Sequence, residues 1–319
     1  MADANDAPPF GWIFDTGERR RQAFRYWVAD TTLGLLNTGL HYGLRLLPIS
    51  ACSALGGMMG AFAKYRYRES DVRARKDWKR LRPDEADEAS TDAAMKRLWR
   101  NVGRTMAEFS VLDRLWPSGR IAVTGLEHLD AARATGRPLM FLGLHLGNWE
   151  TIPVALLAQG LRGASIYIVP ENRFDHAVAN RARDRIGGAY IKAGRNAAFE
   201  AIKFIRRKKQ CVLMYVDELA RDRVWAPAFG RPLRAEGNIA YIQRLARVAG
   251  AIIVPLYSTR VHGQARFEVT ILPPLKLIDT GGRDADIMAN VAMIDATIDP
   301  IIRAHLDQWY YVLDFEFDD

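Results

Sequence analysis

The sequence predicts an α/β fold in which a mixed, mostly parallel sheet is covered by helices on both faces, behind an N-terminal helical region. The first observation is that short apolar runs alternate with amphipathic segments from Ile121 onward. Such alternation is typical of helices layered on a parallel or mixed sheet. The second is that residues 19–80 contain two apolar segments flanked by aromatic and basic side chains. We therefore expect a helical region, 1–119, followed by an α/β domain, 120–319.

The two apolar segments of the N-terminal region lie at residues 33–47 and 49–63, separated by Pro48. The first contains His41 and Arg45 and the second is short and rich in glycine, so neither is expected to cross a bilayer. Aromatic residues before them and a basic stretch after them favour helices that lie in a membrane surface. We therefore predict a membrane-docking region. The alternative is a helical hairpin packed on the rest of the protein, with the basic stretch as its solvated face.

The charge balance indicates an anionic partner. The chain has 319 residues, of which 49% are hydrophobic, and a net charge of +8 with an isoelectric point near 9.6. A cationic surface suits an anionic bilayer, an acidic protein or an acidic substrate. Nucleic acid is the least favoured partner, because the sequence has no zinc-ligand spacing, phosphate-binding glycine loop or ribonucleoprotein-type aromatic motif. The two cysteines, Cys52 and Cys211, provide no disulfide framework and favour a reducing compartment.

The elements of the chain follow from the spacing of apolar residues. A helix is predicted over 93–115, where these residues recur at helical intervals. The expected strands are 121–125, 139–144, 164–170, 189–192, 211–217, 251–261 and 265–272. The expected helices between and after them are 126–134, 152–159, 175–187, 196–207, 238–249 and 284–306.

Residues 138–153 contain the clearest indication of chemistry. An apolar strand ends at His145, the turn Gly147-Asn148 follows, and Glu150 comes just before a helix. On a regular helix His145 and Glu150 would lie about 140° apart, whereas a strand end, a tight bend and a helix start can bring them together at the sheet edge where α/β proteins bind ligands. A carboxylate that orients an imidazole lets it take a proton from a hydroxyl. We therefore expect His145 to be a general base and Glu150 its partner.

The hexapeptide HLGNWE at 145–150 resembles the H-x4-D/E signature of the late acyltransferases of lipid A biosynthesis, which include lauroyl and myristoyl transferases and are related to phosphatidylinositol mannoside acyltransferases. Residues 229–230, 246–255 and 308–309 are also similar to the family's pattern, so the resemblance covers most of the chain. It implies transfer of a fatty acyl chain from acyl carrier protein to a hydroxyl of a lipid A precursor or similar saccharolipid, with no metal or other cofactor. It also implies a location at the cytoplasmic face of the inner membrane.

Two alternative functions stay open. One is the same chemistry on another membrane glycolipid, sphingolipid or amino lipid. The family commonly ends in a basic tail, whereas residues 313–319 of this chain are acidic, which weakens contact with an anionic headgroup. The other alternative is a non-catalytic lipid-binding protein, which the intact pair of His145 and Glu150 disfavours.

A second group of residues is predicted to bind substrate. The predicted substrate-binding residues are Asn148, Arg173, Arg183, Arg185 and Asp217. The arginines suit phosphates of a lipid acceptor or of a carrier's phosphopantetheine arm, although they could equally be a solvated helix face. The turn at Gly147-Asn148, or a nearby arginine, could supply donors to an oxyanion. Where the family usually has an Asp-Gln pair, this chain has Asp217-Glu218. We expect acyl carrier protein rather than coenzyme A as donor, because carrier proteins are strongly acidic.

Overall fold

The computed structural model describes residues 7–217, 219–220 and 223–317. Within these ranges the α-helices are α1 Gly17–Phe24, α2 Asp30–Arg45, α3 Ile49–Arg66, α4 Arg68–Leu81, α5 Glu88–Glu108, α6 Leu112–Leu115, α7 Leu126–Ala134, α8 Thr151–Ala158, α9 Arg173–Ile186, α10 Ala197–Arg206, α11 Gly237–Ala249 and α12 Arg283–Ala304. The strands are β1 Ile121–Thr124, β2 Leu139–Gly143, β3 Gly163–Tyr167, β4 Ala189–Lys192, β5 Cys211–Tyr215, β6 Leu219–Ala220, β7 Arg223–Val224, β8 Ile252–Arg260 and β9 Phe267–Ile271. A π-helical turn, Arg25–Ala29, joins α1 to α2.

In the described part of the chain, seven strands form one sheet in the order β1-β9-β8-β2-β5-β3-β4, and β6 pairs with β7 in a small hairpin. Strands β8 and β9 are antiparallel, whereas every other neighbouring pair in the large sheet is parallel. The prediction of a mixed, mostly parallel sheet is therefore confirmed. The central strands β2 and β5 are buried along their whole length, as their continuous apolar sequences indicate.

Helices cover both faces of the sheet. Met140 and Leu142 of β2 enter a hydrophobic cluster with α10, α11 and α12, whereas Leu139 and Phe141 enter a second cluster with α7 and α8. Successive side chains of a strand point to opposite faces, so one apolar strand serves two cores. This arrangement confirms the predicted α/β class.

The N-terminal helices contribute to both hydrophobic clusters. Trp78 of α4 and Leu98 of α5 lie in the cluster with α12, and Cys52 of α3 lies in the cluster with α8. These helices therefore pack on the sheet layers. The predicted division between 1–119 and 120–319 stays a prediction, although β1 begins just beyond it.

Glycines allow α3 and α5 to cross in close contact. A Cβ on Gly60 would lie 2.1 Å from the carbonyl oxygen of Trp99, and a Cβ on Gly103 would lie 2.2 Å from the carbonyl oxygen of Gly56. Any larger residue at these positions would force the two backbones apart. The glycines of the second apolar segment therefore form its packing face against α5.

The opposite faces of the N-terminal helices remain exposed. The exposed large apolar residues of this region include Phe10, Phe14, Phe24, Leu33, Leu35, Leu36, Leu40, Leu46, Met58, Met59 and Phe62. None of the described helices is both long enough and apolar enough to cross a membrane. Docking on a membrane surface stays a prediction.

The predicted elements differ from the structure mainly around α5. The helix begins at Glu88 because the Asp87 side chain accepts the backbone N–H of Ser90 at 2.9 Å, which caps it. It ends at Glu108 rather than continuing to residue 115, and a 3-10 turn leads into α6. Just beyond this end, Arg45 donates to the carbonyl oxygen of Ser110 at 3.0 Å.

Candidate active site

The candidate active site is built at the carboxyl ends of two neighbouring strands, β2 and β5. Gly143 lies opposite Tyr215 in their parallel register. His145 and Asp217 each follow that pair by two residues and leave the sheet side by side, although 72 positions separate them in the sequence. This edge of an α/β sheet is where ligands bind.

The carboxylate of Asp217 holds the imidazole of His145. Asp217 is fully buried, and its Oδ1 lies 2.9 Å from His145 Nδ1. Its Oδ2 accepts the backbone N–H of His145 at 2.8 Å and the indole N–H of Trp309 at 2.9 Å. Because an ionised carboxylate can only accept, Nδ1 carries the hydrogen. His145 Nε2 has no partner in the described part of the chain and is the nitrogen able to act as base.

Glu150, which the sequence predicts to orient His145, pairs with Arg183. Its Oε1 lies 3.1 Å from Arg183 Nη2, and the two side chains are 15% and 13% exposed. Among the described residues, Asp217 is the carboxylate bonded to the imidazole. The prediction about Glu150 is therefore corrected. Spacing along the chain pointed to Glu150, whereas the register of β2 and β5 brings Asp217 to Nδ1.

His145, Glu150 and Arg183 all line one cavity of about 170 Å³. Aromatic rings surround the imidazole, with ring centroids 4.4 Å away for Tyr215 and 5.0 Å away for Tyr311. The full lining is His145, Trp149, Glu150, Pro153, Ser165, Ile166, Tyr167, Ile168, Arg183, Tyr190, Tyr215 and Tyr311. Burial raises the pKa of Tyr215 well above its usual value, so this phenol stays neutral at physiological pH.

Arg183 offers unused donors next to this cavity. Its guanidinium lies 4.7 Å from the ring centroids of both Tyr167 and Tyr190. Its Nε and Nη1 are buried and have no hydrogen-bond partner among the described residues. Burial, followed by the charge of Glu150, raises the pKa of the Tyr190 phenol. Arg183 therefore lies beside two tyrosine rings, with two buried N–H donors that no described residue accepts.

Two other predicted arginines lie away from the cavity. Arg173 donates to the carbonyl oxygen of Tyr26 at 3.1 Å and to Thr31 Oγ1 at 2.7 Å, so it ties α9 to the N-terminal helices. Arg185 lies over the ring of Tyr42 at 5.8 Å. The three predicted arginines therefore do not share one site. Of the three, only Arg183 lines the His145 cavity.

The turn after His145 is held from behind by a buried polar network. Glu108 and Arg260 form an ion pair at 2.6 Å, and both side chains are fully buried. The Asn148 amide donates to the same carboxylate at 3.0 Å, and Thr105 donates to the carbonyl oxygen of Gly147 at 2.8 Å. The side chain of Asn148 is therefore part of this network and does not line the His145 cavity, and its substrate-binding role stays a prediction.

Residues 308–310 form a short antiparallel ladder with the same turn, which the sequence did not predict. The N–H of Gly147 donates to the carbonyl oxygen of Gln308, and the N–H of Tyr310 donates to that of His145, both at 3.0 Å. The Gly147 N–H is thus occupied and is not a free oxyanion donor. In the sequence, the similarity of Gln308-Trp309 to a family pattern is the available signal for the position of Trp309 beside Asp217.

The acidic C-terminal segment packs on α4. Phe315 is fully buried, with its ring centroid 5.8 Å from that of Trp309. Glu316 Oε1 lies 3.6 Å from Arg73 of α4. Glu218 and residues 318–319, which also depart from the family's pattern, lie outside the described residues.

The sheet, the imidazole held by a buried carboxylate and the adjoining cavity are features of an α/β enzyme. The chain belongs to the bacterial lipid A biosynthesis acyltransferase family, whose model matches residues 17–314. It is therefore an acyltransferase. It is similar to a lipid A biosynthesis acyltransferase of Haemophilus influenzae, with 19% identity over 249 residues and 77% of each chain covered.

We expect Asp217→Asn to lower kcat by about 100- to 10,000-fold, the range typical of losing general-base catalysis. An amide removes the negative charge beside the imidazole and allows the wrong tautomer. Glu150→Gln keeps a neutral partner for Arg183 and is expected to lower kcat less. Steady-state acyl transfer by both variants measures the difference, with circular dichroism as the control for folding. A near-normal kcat in Asp217→Asn would contradict the assignment.

Proposed function

We propose that this chain transfers a fatty acyl group from acyl carrier protein to a hydroxyl of a lipid A precursor or similar saccharolipid, at the cytoplasmic face of the inner membrane. The observation that carries the proposal is the imidazole of His145, bonded through Nδ1 to Asp217 and leaving Nε2 for the cavity. The family and the relative's name support the class of acceptor.

In the proposed reaction His145 Nε2 takes the proton of the acceptor hydroxyl as the oxygen attacks the thioester carbonyl. The imidazolium that forms is stabilised by the Asp217 carboxylate. Collapse of the tetrahedral intermediate breaks the carbon–sulfur bond, and the leaving thiolate recovers the proton from Nε2. The products are an ester and a free thiol, so the reaction needs no covalent acyl-enzyme.

Arg183 is the proposed donor to the oxyanion. Its unpartnered Nε and Nη1 provide fixed positive donors beside the cavity, and such preorganised donors stabilise developing negative charge. Glu150 holds the other edge of the guanidinium through Nη2. In this proposal Glu150 acts on the reaction through Arg183 and is a positioning residue.

The acyl chain is proposed to lie in a groove between α2, α3 and α5. This groove has a volume of about 690 Å³, and its lining includes Leu40, Met59 and Val102. Tyr310 also lines it, and the Tyr310 ring centroid lies 5.2 Å from that of Trp149, which lines the His145 cavity. The two rings therefore stand between the apolar groove and the base.

The groove is also kept free of a histidine charge. His41 lines it, and burial, followed by the positive charges of Arg185 and Arg45, lowers the pKa of His41 to about 4. The imidazole is therefore neutral at physiological pH. A neutral imidazole suits a hydrocarbon chain, because apolar surface is buried beside it without stranding a histidine charge.

The experiment that tests the function measures transfer from acyl carrier protein to a lipid A precursor, with mass spectrometry of the lipid product. We expect a gain of one acyl chain, and a loss of about 100- to 10,000-fold in rate for His145→Ala. The matching acyl-coenzyme A is expected to be the poorer donor. Transfer only to another glycolipid, a sphingolipid or an amino lipid would reassign the acceptor, and full activity of His145→Ala would refute the base.

The groove predicts a matched pair of chain-length variants. Met59→Trp places a larger ring in the groove and should shift preference toward shorter acyl chains. Losing room for two methylenes, at about 0.8 kcal/mol each, changes the ratio of products by roughly tenfold. Met58→Trp is the control, because Met58 is exposed on the same helix and does not line the groove. Competition between acyl carrier substrates of different lengths measures the ratio, and equal ratios in both variants would contradict the assignment.

The exposed apolar side chains of α1 to α3 are proposed to rest in the membrane surface. Leu36 of α2 and Phe62 of α3 are 66% and 72% exposed. Lys64 and Arg66 follow at the end of α3. Apolar side chains beside cations are the combination that binds anionic bilayers. The same helices line the acyl groove, so this placement would bring the groove to the lipid surface.

Vesicle co-sedimentation tests the membrane surface. Replacing Leu36 and Phe62 together by serine is expected to lower the partition coefficient for anionic vesicles roughly tenfold or more, because two apolar side chains no longer enter the bilayer. Phe199→Ser is the control, since Phe199 is a similarly exposed aromatic residue on α10, with 62% of its surface accessible. High salt should release the wild-type protein only in part. Unchanged binding of the double variant would contradict the proposal.

A further inference from the structure

A pocket of about 200 Å³ lies between α5, the end of β8 and the segment after α12. We call it the arginine pocket. Its lining includes Arg97, Arg100, Arg104, Arg260, Asp307 and Gln308. The arginines of α5 recur at intervals of three and four residues and therefore share one helix face. Within the described ranges, the arginine pocket and the His145 cavity have no lining residue in common.

The carboxylates of the pocket are already paired. Asp307 is bonded to Arg97 at 2.5 Å, and Arg260 is paired with the buried Glu108. Arg104 donates to a hydroxyl, Ser53 Oγ, at 2.9 Å. The exposed Arg100 has neither a hydrogen bond nor an ion pair in the part of the chain that the structure describes. The guanidinium groups of Arg100 and Arg104 are therefore not paired with a carboxylate among the described residues.

The surroundings of these groups indicate a missing anion. Burial, with the positive charges of Arg260 and Arg100, lowers the pKa of the Arg104 guanidinium. Arg260 is 4% exposed, and its Nε is buried without any hydrogen-bond partner among the described residues. A buried charged donor without an acceptor is unfavourable. An anion that enters the cavity stabilises the like charges around it.

We propose that the arginine pocket binds a phosphomonoester. The two guanidinium groups without a carboxylate match the charge of a phosphomonoester, about −1.5 to −2 at pH 7. Planar guanidinium groups bind phosphate oxygens through paired N–H donors. A carboxylate would neutralise only one of the two. The phosphate could belong to a lipid headgroup or be free in solution.

The arginine pocket adjoins the segment that supports the catalytic pair. The Gln308 side chain accepts the backbone N–H of Arg260 at 2.7 Å, and the carbonyl oxygen of Gln308 accepts the N–H of Gly147. The next residue is Trp309, which donates to Asp217. A phosphate bound between α5 and Gln308 would therefore hold this segment against the helix. The binding itself does not depend on the proposed acyl transfer, so its failure would leave that proposal intact.

Calorimetric titration of the full chain with inorganic phosphate, at constant ionic strength, tests the pocket. Wild type is expected to bind. Arg100→Gln is expected to bind with an affinity that is lower by roughly tenfold or more, since one charge-assisted contact is lost. Arg207→Gln is the matched control: Arg207 is exposed at the end of α10 and its side chain has no partner in the described ranges. Equal affinity of Arg100→Gln and wild type, or binding by none of the three proteins, would overturn the proposal.

Vesicles distinguish the two sources of phosphate. Phosphatidic acid carries a phosphomonoester, whereas phosphatidylglycerol at equal surface charge does not. If the pocket takes a lipid headgroup, wild type but not Arg100→Gln should prefer phosphatidic acid vesicles, and inorganic phosphate should abolish that preference. If it takes free phosphate, calorimetry should show binding with no preference between the vesicles. Either result supports a phosphomonoester site.

Discussion

The buried carboxylate of Asp217 is the constraint on which the site depends. A buried charge is unfavourable unless hydrogen bonds satisfy it, and here two N–H groups of His145 and the indole N–H of Trp309 do so. One carboxylate therefore joins the ends of β2 and β5 to the segment after α12. The same bonds leave the imidazole in one tautomer and one orientation. One carboxylate thus fixes the orientation of the imidazole and also holds the segment after α12 against the sheet.

A second buried charge pair supports this arrangement from behind. Glu108 of α5 and Arg260 of β8 are both fully buried, and breaking such a pair leaves an uncompensated ion. Through Asn148 the pair also holds the turn after His145. Helix α5 in turn lies against α3 through glycine contacts such as that at Gly103. The N-terminal helices are therefore part of the scaffold that positions the His145 imidazole.

The three cavities differ in size, polarity and charge. The His145 cavity is small, walled by aromatic rings and supplied with the donors of Arg183. The groove between α2, α3 and α5 is mostly apolar and its histidine, His41, is neutral. The arginine pocket collects positive charge on the other side of the network of Glu108 and Arg260. Hydrocarbon, reacting carbonyl and phosphate would thus each meet a separate environment.

The sequence by itself determined the α/β class, the strand just before His145 and the helices around it, because periodicity and turn residues act over a few neighbouring positions. It also indicated Glu150 as a catalytic residue and Arg183 as a substrate-binding residue, and both line the His145 cavity. It assigned the wrong carboxylate to the imidazole and passed over Trp309. The partners of His145 follow from strand register and from a ladder with residues 308–310. Only the tertiary structure decides such contacts, because hydrogen bonds between distant segments leave no periodic signal along the chain.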